Sequence, residues 1–169
     1  MGQKAITIYT PDDAPAHIYA EDDAQVHRGL IGGSGILLAD LRLACTVVNE
    51  NTVSLASGVY SNQGYLLVVQ GGTTQTLEVE SGTAGTFRKD LIVAHFTRGG
   101  GDAPDTHVFQ VIKGLEASSA AGAVDPTLVQ GDLVTGGAER MEAIYRINVN
   151  GTTISGVDRV ANYIGNVYQ

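Results

Sequence analysis

Apolar and polar positions alternate along this chain in short blocks separated by glycine, asparagine and proline. Ala5-Ile6-Thr7-Ile8-Tyr9-Thr10 alternates and is β-branched, which predicts a strand closed by a loop over Pro11 to Pro15. Ile18 to Ile31 is the one helix candidate. Tyr19, Ala20, Val26 and Leu30 recur near helical spacing, Asp22 and Asp23 suit its first turn, and Gly32-Gly33-Ser34-Gly35 stops it. Beyond it the pattern is β. Cys45–Val48, Thr52–Leu55, Tyr65–Val69 and Thr76–Glu80 read as short strands and Val59–Gln63 as a strand or a tight corner, with a turn expected at Gly71-Gly72. The continuous apolar run Tyr65–Val69 predicts burial on both faces. Asp90–Phe96, His107–Lys113 and Met141–Val149 follow, and Asn150-Gly151 signals a hairpin to Thr152–Ser155. Strands arriving about every 8–12 residues indicate an antiparallel β-sandwich or barrel-like domain with one short N-terminal helix. Residues 1–16 read as an N-terminal arm and 17–169 as one β-rich domain. The expected core is Val53, Leu55, Leu67, Val69, Leu91, Val93, Phe109, Val111, Ile144, Ile147 and Val149.

Composition supports the β assignment. Of 169 residues 22 are glycine and only 17% are charged, so the surface is dressed mainly with Thr, Ser, Asn, Gln and Gly. The net charge of −8 with scattered Lys and Arg argues against nucleic acid and against an anionic membrane surface. No run approaches the length of a membrane-spanning helix, and the N-terminus lacks an export signature.

Candidate chemistry is sparse. Gly32-Gly33-Ser34-Gly35 lacks the Lys-Ser/Thr ending of a phosphate loop, and Ile36 breaks a nucleophile elbow at Ser34. His17, His27, His95 and His107 have no metal-ligand spacing, although His95 and His107 would face each other if 99–103 formed a hairpin tip. Asp12-Asp13, Asp22-Asp23 and Asp102/Asp105 lack the calcium-loop pattern and read as solvated turns and a helix start. Cys45, alone, reads as a small buried hydrophobe. Asn150-Gly151-Thr152 is formally a glycosylation sequon, and the hairpin explains it. Residues 98–105, with three consecutive glycines, predict a mobile loop. No cofactor, metal or catalytic set is expected.

An ordered series of phrases carries a resemblance. Tyr19–Ala24 precedes Gly35-Ile36-Leu37, then Asn51–Tyr60, Gly64-Tyr65, Phe87–Val93, Phe109–Gly114, Val124–Leu128, and finally Glu142–Val149 through Asn150-Gly151 to Val157-Asp158-Arg159. Over roughly residues 17–160 this resembles the N-terminal structural module of tailed-phage tail-fibre and upper-baseplate proteins, the receptor-binding apparatus. Leu91 stands where that pattern often has a basic residue, and Asp158-Arg159 lacks its intervening residue. The resemblance implies a non-enzymatic virion protein made in a bacterial cytoplasm. It also implies a homo-oligomer, trimer or larger ring, that meets other virion proteins. A carbohydrate- or receptor-binding β-sandwich is the alternative, with a host-surface saccharide as partner that no motif supports.

Two groups of residues are expected at interfaces. Ile6, Ile8 and Tyr9 sit on a strand that could pair with a neighbour's sheet edge. Arg88 and Asp90, two apart on a strand, share one face while Leu91 and Val93 take the other. They form either a solvent-facing ion pair or a tie to the helix or to a neighbouring chain.

Overall fold

In a computed structural model, residues 3–6, 9, 11–15 and 18–165 are described. Strands make up 47% of the chain and helix 11%. The chain is mainly β, two curled, antiparallel-rich sheets with one helix, in agreement with the sequence. No helix among the described residues is long and apolar enough to cross a membrane.

One helix, α1 (Ala20–Ile31), precedes the strands. The first sheet is built on β3 (Thr52–Asn62). Along one side β3 pairs antiparallel with β4 (Tyr65–Glu78), and it also pairs antiparallel with β2 (Cys45–Asn49) and with β1 (Gly35–Leu37). A short β9 (Tyr163–Ile164) adds to β1 in parallel. The second sheet comprises β5 (Phe87–Thr97), β6 (Thr106–Ile112), β7 (Glu139–Asn150) and β8 (Thr153–Arg159). Its order is β6-β5-β7-β8, antiparallel throughout.

The core lies between the sheets. Val53, Leu55, Tyr60 and Val69 from the first meet Ile92, Ala94, Ile144, Ile147 and Val149 from the second, with Val79 beside them. Of the core expected from sequence, Val53, Leu55, Val69, Leu91, Val93, Ile144, Ile147 and Val149 are buried. Leu67, Phe109 and Val111 are partly buried and pack against it. A bulge sharpens the second sheet: Tyr145 pairs with Ile92 and Ala143 with Val93, so Ile144 is the extra residue. Its carbonyl accepts from the N–H groups of Val160 and Ala161, catching the chain as it leaves β8.

Turn chemistry sets the hairpins. Gln63 and Gly64 connect β3 to β4 with φ of 50° and 93°, the two left-handed residues of a two-residue hairpin turn. Between β7 and β8 the turn is Gly151-Thr152, one place later than expected, with Gly151 at φ 63° its one left-handed residue.

Several elements differ from the sequence reading. Ala5, Ile6 and Tyr9 lie in no strand, and Tyr9 is exposed; Thr7, Ile8 and Thr10 fall outside the described residues. Thr52–Leu55 and Val59–Asn62 belong to one long strand, and Gln63 is in the turn that follows it. Gly71-Gly72 does not reverse the chain. It bulges within β4, where Gln70 to Thr73 face Ser57 alone, so Tyr65–Val69 and Thr76–Glu78 are continuous. Tyr65–Val69 is not buried on both faces: Leu66 is 36% and Val68 51% exposed. The run lies in a strand that pairs, among the described residues, with β3 alone.

Gly64 also positions α1. A Cβ there would be driven into the Ala24 carbonyl of the helix, whereas at Gly72, φ 77°, it would meet nothing. Both sites are strained for alanine, at about 1–3 kcal/mol. Gly64→Ala should therefore lose at least ~1 kcal/mol more in urea unfolding than Gly72→Ala.

Candidate functional site

Arg88 and Asp90 project from β5 to the same side as Ile92 and Ala94, at the end of the core. Arg88 is 1% and Asp90 0% exposed. The pair is bidentate: Arg88 Nε donates to Asp90 Oδ1 at 2.8 Å and Nη2 to Oδ2 at 2.9 Å. Arg88 Nη2 also donates to the Glu80 carbonyl, and Gly114 N–H donates to Asp90 Oδ1 at 2.9 Å. Arg88 Nη1 makes no hydrogen bond but faces Glu116 Oε1 at 4.0 Å. Glu116 in turn accepts from Thr83 N–H at 2.9 Å. The pair is thus neither solvent-facing nor a tie to the helix. It fastens the segments that follow β4 and β6 to the first turn of β5. Leu91 and Val93 do take the opposite face, but they too are buried.

A second polar cluster stands at the other end of the core. Glu142 accepts from Ser34 Oγ at 2.7 Å, Tyr60 Oη at 2.7 Å and Arg140 Nε at 2.6 Å. Burial first, and then the neighbouring Glu142 carboxylate, push the Tyr60 phenol far up, so it stays a donor. Ser34 Oγ accepts from Gln63 N–H at 2.9 Å, so the cluster reaches the β3–β4 turn. Every oxygen and nitrogen named here is used structurally. The shared Glu142 carboxylate thus ties the residue before β1 to β3 and β7.

The histidines separate. Phe96, not His95, is paired with His107, so the two imidazoles project from opposite faces of the sheet. His95 stands on the outer side of the second sheet between Gln110 Oε1 at 2.7 Å and Glu139 Oε1 at 2.6 Å. His107 packs edge-on against Phe96 at 5.5 Å, and Phe96 against Tyr65 at 4.5 Å. Burial pushes the His107 imidazole down to about 4, the Leu66 backbone opposing the shift, and its Nε2 is buried without a partner. These rings floor a cleft of about 300 Å³ between α1 and the β3–β4 turn. His27, Asp23 and Asp105 stand on its walls. The cleft was not legible in sequence, because it joins α1 to β6 across more than 75 residues. Asp23 and His27 at i, i+4 were its one local sign.

Among the described residues no three His, Cys, Asp or Glu side chains are placed to hold a metal. Cys45 is half-buried, and burial alone raises its thiol to about 11, far from a reactive thiolate. Of the residues expected at interfaces, Ile6 is partly buried, Tyr9 is 87% exposed and Ile8 lies outside the described residues. Arg88 and Asp90 are interior. Near Ile6, Lys4 Nζ meets Asp22 Oδ2 at 2.6 Å and lies over the Tyr19 ring at 4.5 Å, so the arm touches the start of its own helix. Comparison with protein-family models, with curated proteins and with solved structures finds no match.

Removing one member of a buried pair leaves the other charge uncompensated, at a cost of about 3–5 kcal/mol. Asp90→Ala should lose that much in chemical denaturation. Arg88→Met with Asp90→Leu should lose clearly less than either single change.

His107 makes stability fall with acid. The unfolded imidazole takes up its proton near pH 6.5, the folded one only near 4, so stability is intact above that window and drops as pH falls through it. His107→Phe should flatten the profile there by at most about 3 kcal/mol. Equal slopes in the two proteins would contradict the assignment.

Proposed function

We propose that the chain is a non-enzymatic structural subunit of a bacteriophage virion, in a tail, baseplate or other appendage. There it anchors or assembles the host-recognition apparatus. The resemblance of residues 17–160 to tail-fibre and upper-baseplate modules supports this reading, and a β-sandwich suits it.

The observation that carries the reading is β4. It runs for 14 residues and, among the described residues, pairs with β3 alone. From Tyr65 to Leu77 it holds no charged residue and no proline, and Val68 is half exposed. Sheet edges are ordinarily guarded by lysine, proline or cover. This one has a bulge at Gly71-Gly72, and α1 and β6 lie against only its first residues. Such an edge suits a protein that adds strands from its neighbours. The N-terminal segment, alternating and β-branched, is the strand expected to meet a neighbouring copy.

A second reading, a carbohydrate- or receptor-binding module, is favoured by one feature, the concave cleft carrying Asp23, Asp105 and the Tyr65–Phe96 floor.

Light scattering tests assembly. The expected mass is three or more times 17.6 kDa. A monomer at every concentration overturns the reading. Val68→Lys and deletion of residues 1–10 should each lower the mass while the β circular dichroism signal persists. Unchanged mass after the deletion would place the contact elsewhere than the N-terminal segment.

A further inference from the structure

The cleft beside α1 has a lining that selects its ligand. His27 Nδ1 lies 2.9 Å from the Gly64 carbonyl, which can only accept, so Nδ1 carries the hydrogen. In the neutral ring Nε2 is then a bare acceptor. Asp23 is exposed on the same helical face, four residues before His27, and its carboxylate has no partner among the described side chains. Asp105 uses Oδ1 for Gly99 N–H at 2.8 Å and keeps Oδ2. The walls thus offer acceptors, and the floor offers the apolar edges of Phe96 and Leu66.

Each class of ligand can be weighed against this lining. An anion would meet two carboxylates. A wholly apolar group would strip water from Asp23 and return no hydrogen bond. A metal ion needs ligands that converge on a point, and these do not. An organic cation would want the ring faces, but the Arg98 guanidinium already lies 5.7 Å from the Tyr65 centroid and 5.6 Å from that of Phe96. Arg98 is also held there, by the Gly137 and Leu133 carbonyls. A neutral molecule rich in hydroxyl donors remains. About 300 Å³ lies at the small end of ligand pockets, which suits a single unit and not a chain.

We propose that this cleft binds one neutral, hydroxyl-rich unit, a sugar or a polyol, whose hydroxyls donate to Asp23, Asp105 and His27. The proposal rests on the carbohydrate-binding reading and gives it a site.

The test is amide shift mapping on the full chain, titrated separately with methyl α-glucoside, N-acetylglucosamine, glycerol and ethylammonium chloride. The expected result is saturable shifts at Asp23, His27, Gly64, Leu66 and His107 with at least one hydroxylated probe and none with ethylammonium. Response to a glycoside without glycerol identifies a sugar; response to both identifies a general polyol site. Asp23→Ala should weaken binding about tenfold, the loss of one charge-assisted hydrogen bond. Ala20→Tyr, at an exposed cleft position, should block it while the remaining spectrum stays folded. Sugar-induced shifts that map elsewhere overturn the cleft and leave the carbohydrate-binding reading standing. No response to any hydroxylated probe overturns both, and binding of ethylammonium alone overturns the ligand class.

Discussion

A charged pair sealed from water at one end of a β-sandwich constrains how the rest of this chain can fold. Arg88 and Asp90 are both within 1% of complete burial, and desolvating two ions is costly unless their remaining hydrogen-bonding capacity is used. Most of it is used here by backbone outside β5, the Glu80 carbonyl and the Gly114 N–H, while Arg88 Nη1 has only its approach to Glu116. Those groups lie where the chain leaves β4 to cross between sheets and where it leaves β6. The pair therefore requires both segments to be in place before its own burial is tolerable. Replacing it whole is expected to cost less than removing one member, the behaviour of a device that specifies geometry more than it adds stability.

The opposite end works by a related logic with different chemistry. Glu142 gathers a serine, a tyrosine and an arginine, and through Ser34 it holds the β3–β4 turn. Between these two polar closures the interior is mainly aliphatic, with Tyr60 and Tyr145 among its side chains. The periphery is held more loosely. Of α1 only Ala24 is buried, while Leu30 is 66% and Tyr19 50% exposed. The helix is attached by polar ties, Arg28 to the Gln63 carbonyl and His27 to that of Gly64, with Gly64 allowing the close approach. Local opening should begin there and not between the sheets. The β4 edge lies on the sheet frame, and the cleft lies where that frame meets the helix.

Much of this frame is legible in the sequence. Alternation, turn residues and the Asn150-Gly151 signal give the class, the single helix and most strands, because period and turn chemistry are local properties. What fails locally is facing. Tyr65–Val69 is apolar throughout, yet Leu66 and Val68 face outward, since a run without alternation carries no mark of its buried side. Arg88 and Asp90 have the correct shared face, but their burial depends on Glu80 and Gly114, which no spacing connects to them. The offset of His95 from His107 reflects register in a hairpin whose loop length was open. Gly71-Gly72 bulges where a turn was expected because β3, across from it, continues. The cleft is the least legible feature, assembled from α1, the β3–β4 turn and β6.

Amide hydrogen exchange at Gly114 tests the role of the buried pair most directly. Gly114 follows β6, outside any strand, and its N–H donates to Asp90. If the pair locks the end of the sandwich, that amide exchanges as slowly as the slowest amides of β5 and β7, through global unfolding. Exchange as fast as that of the loop glycines near Gly100 would contradict the account.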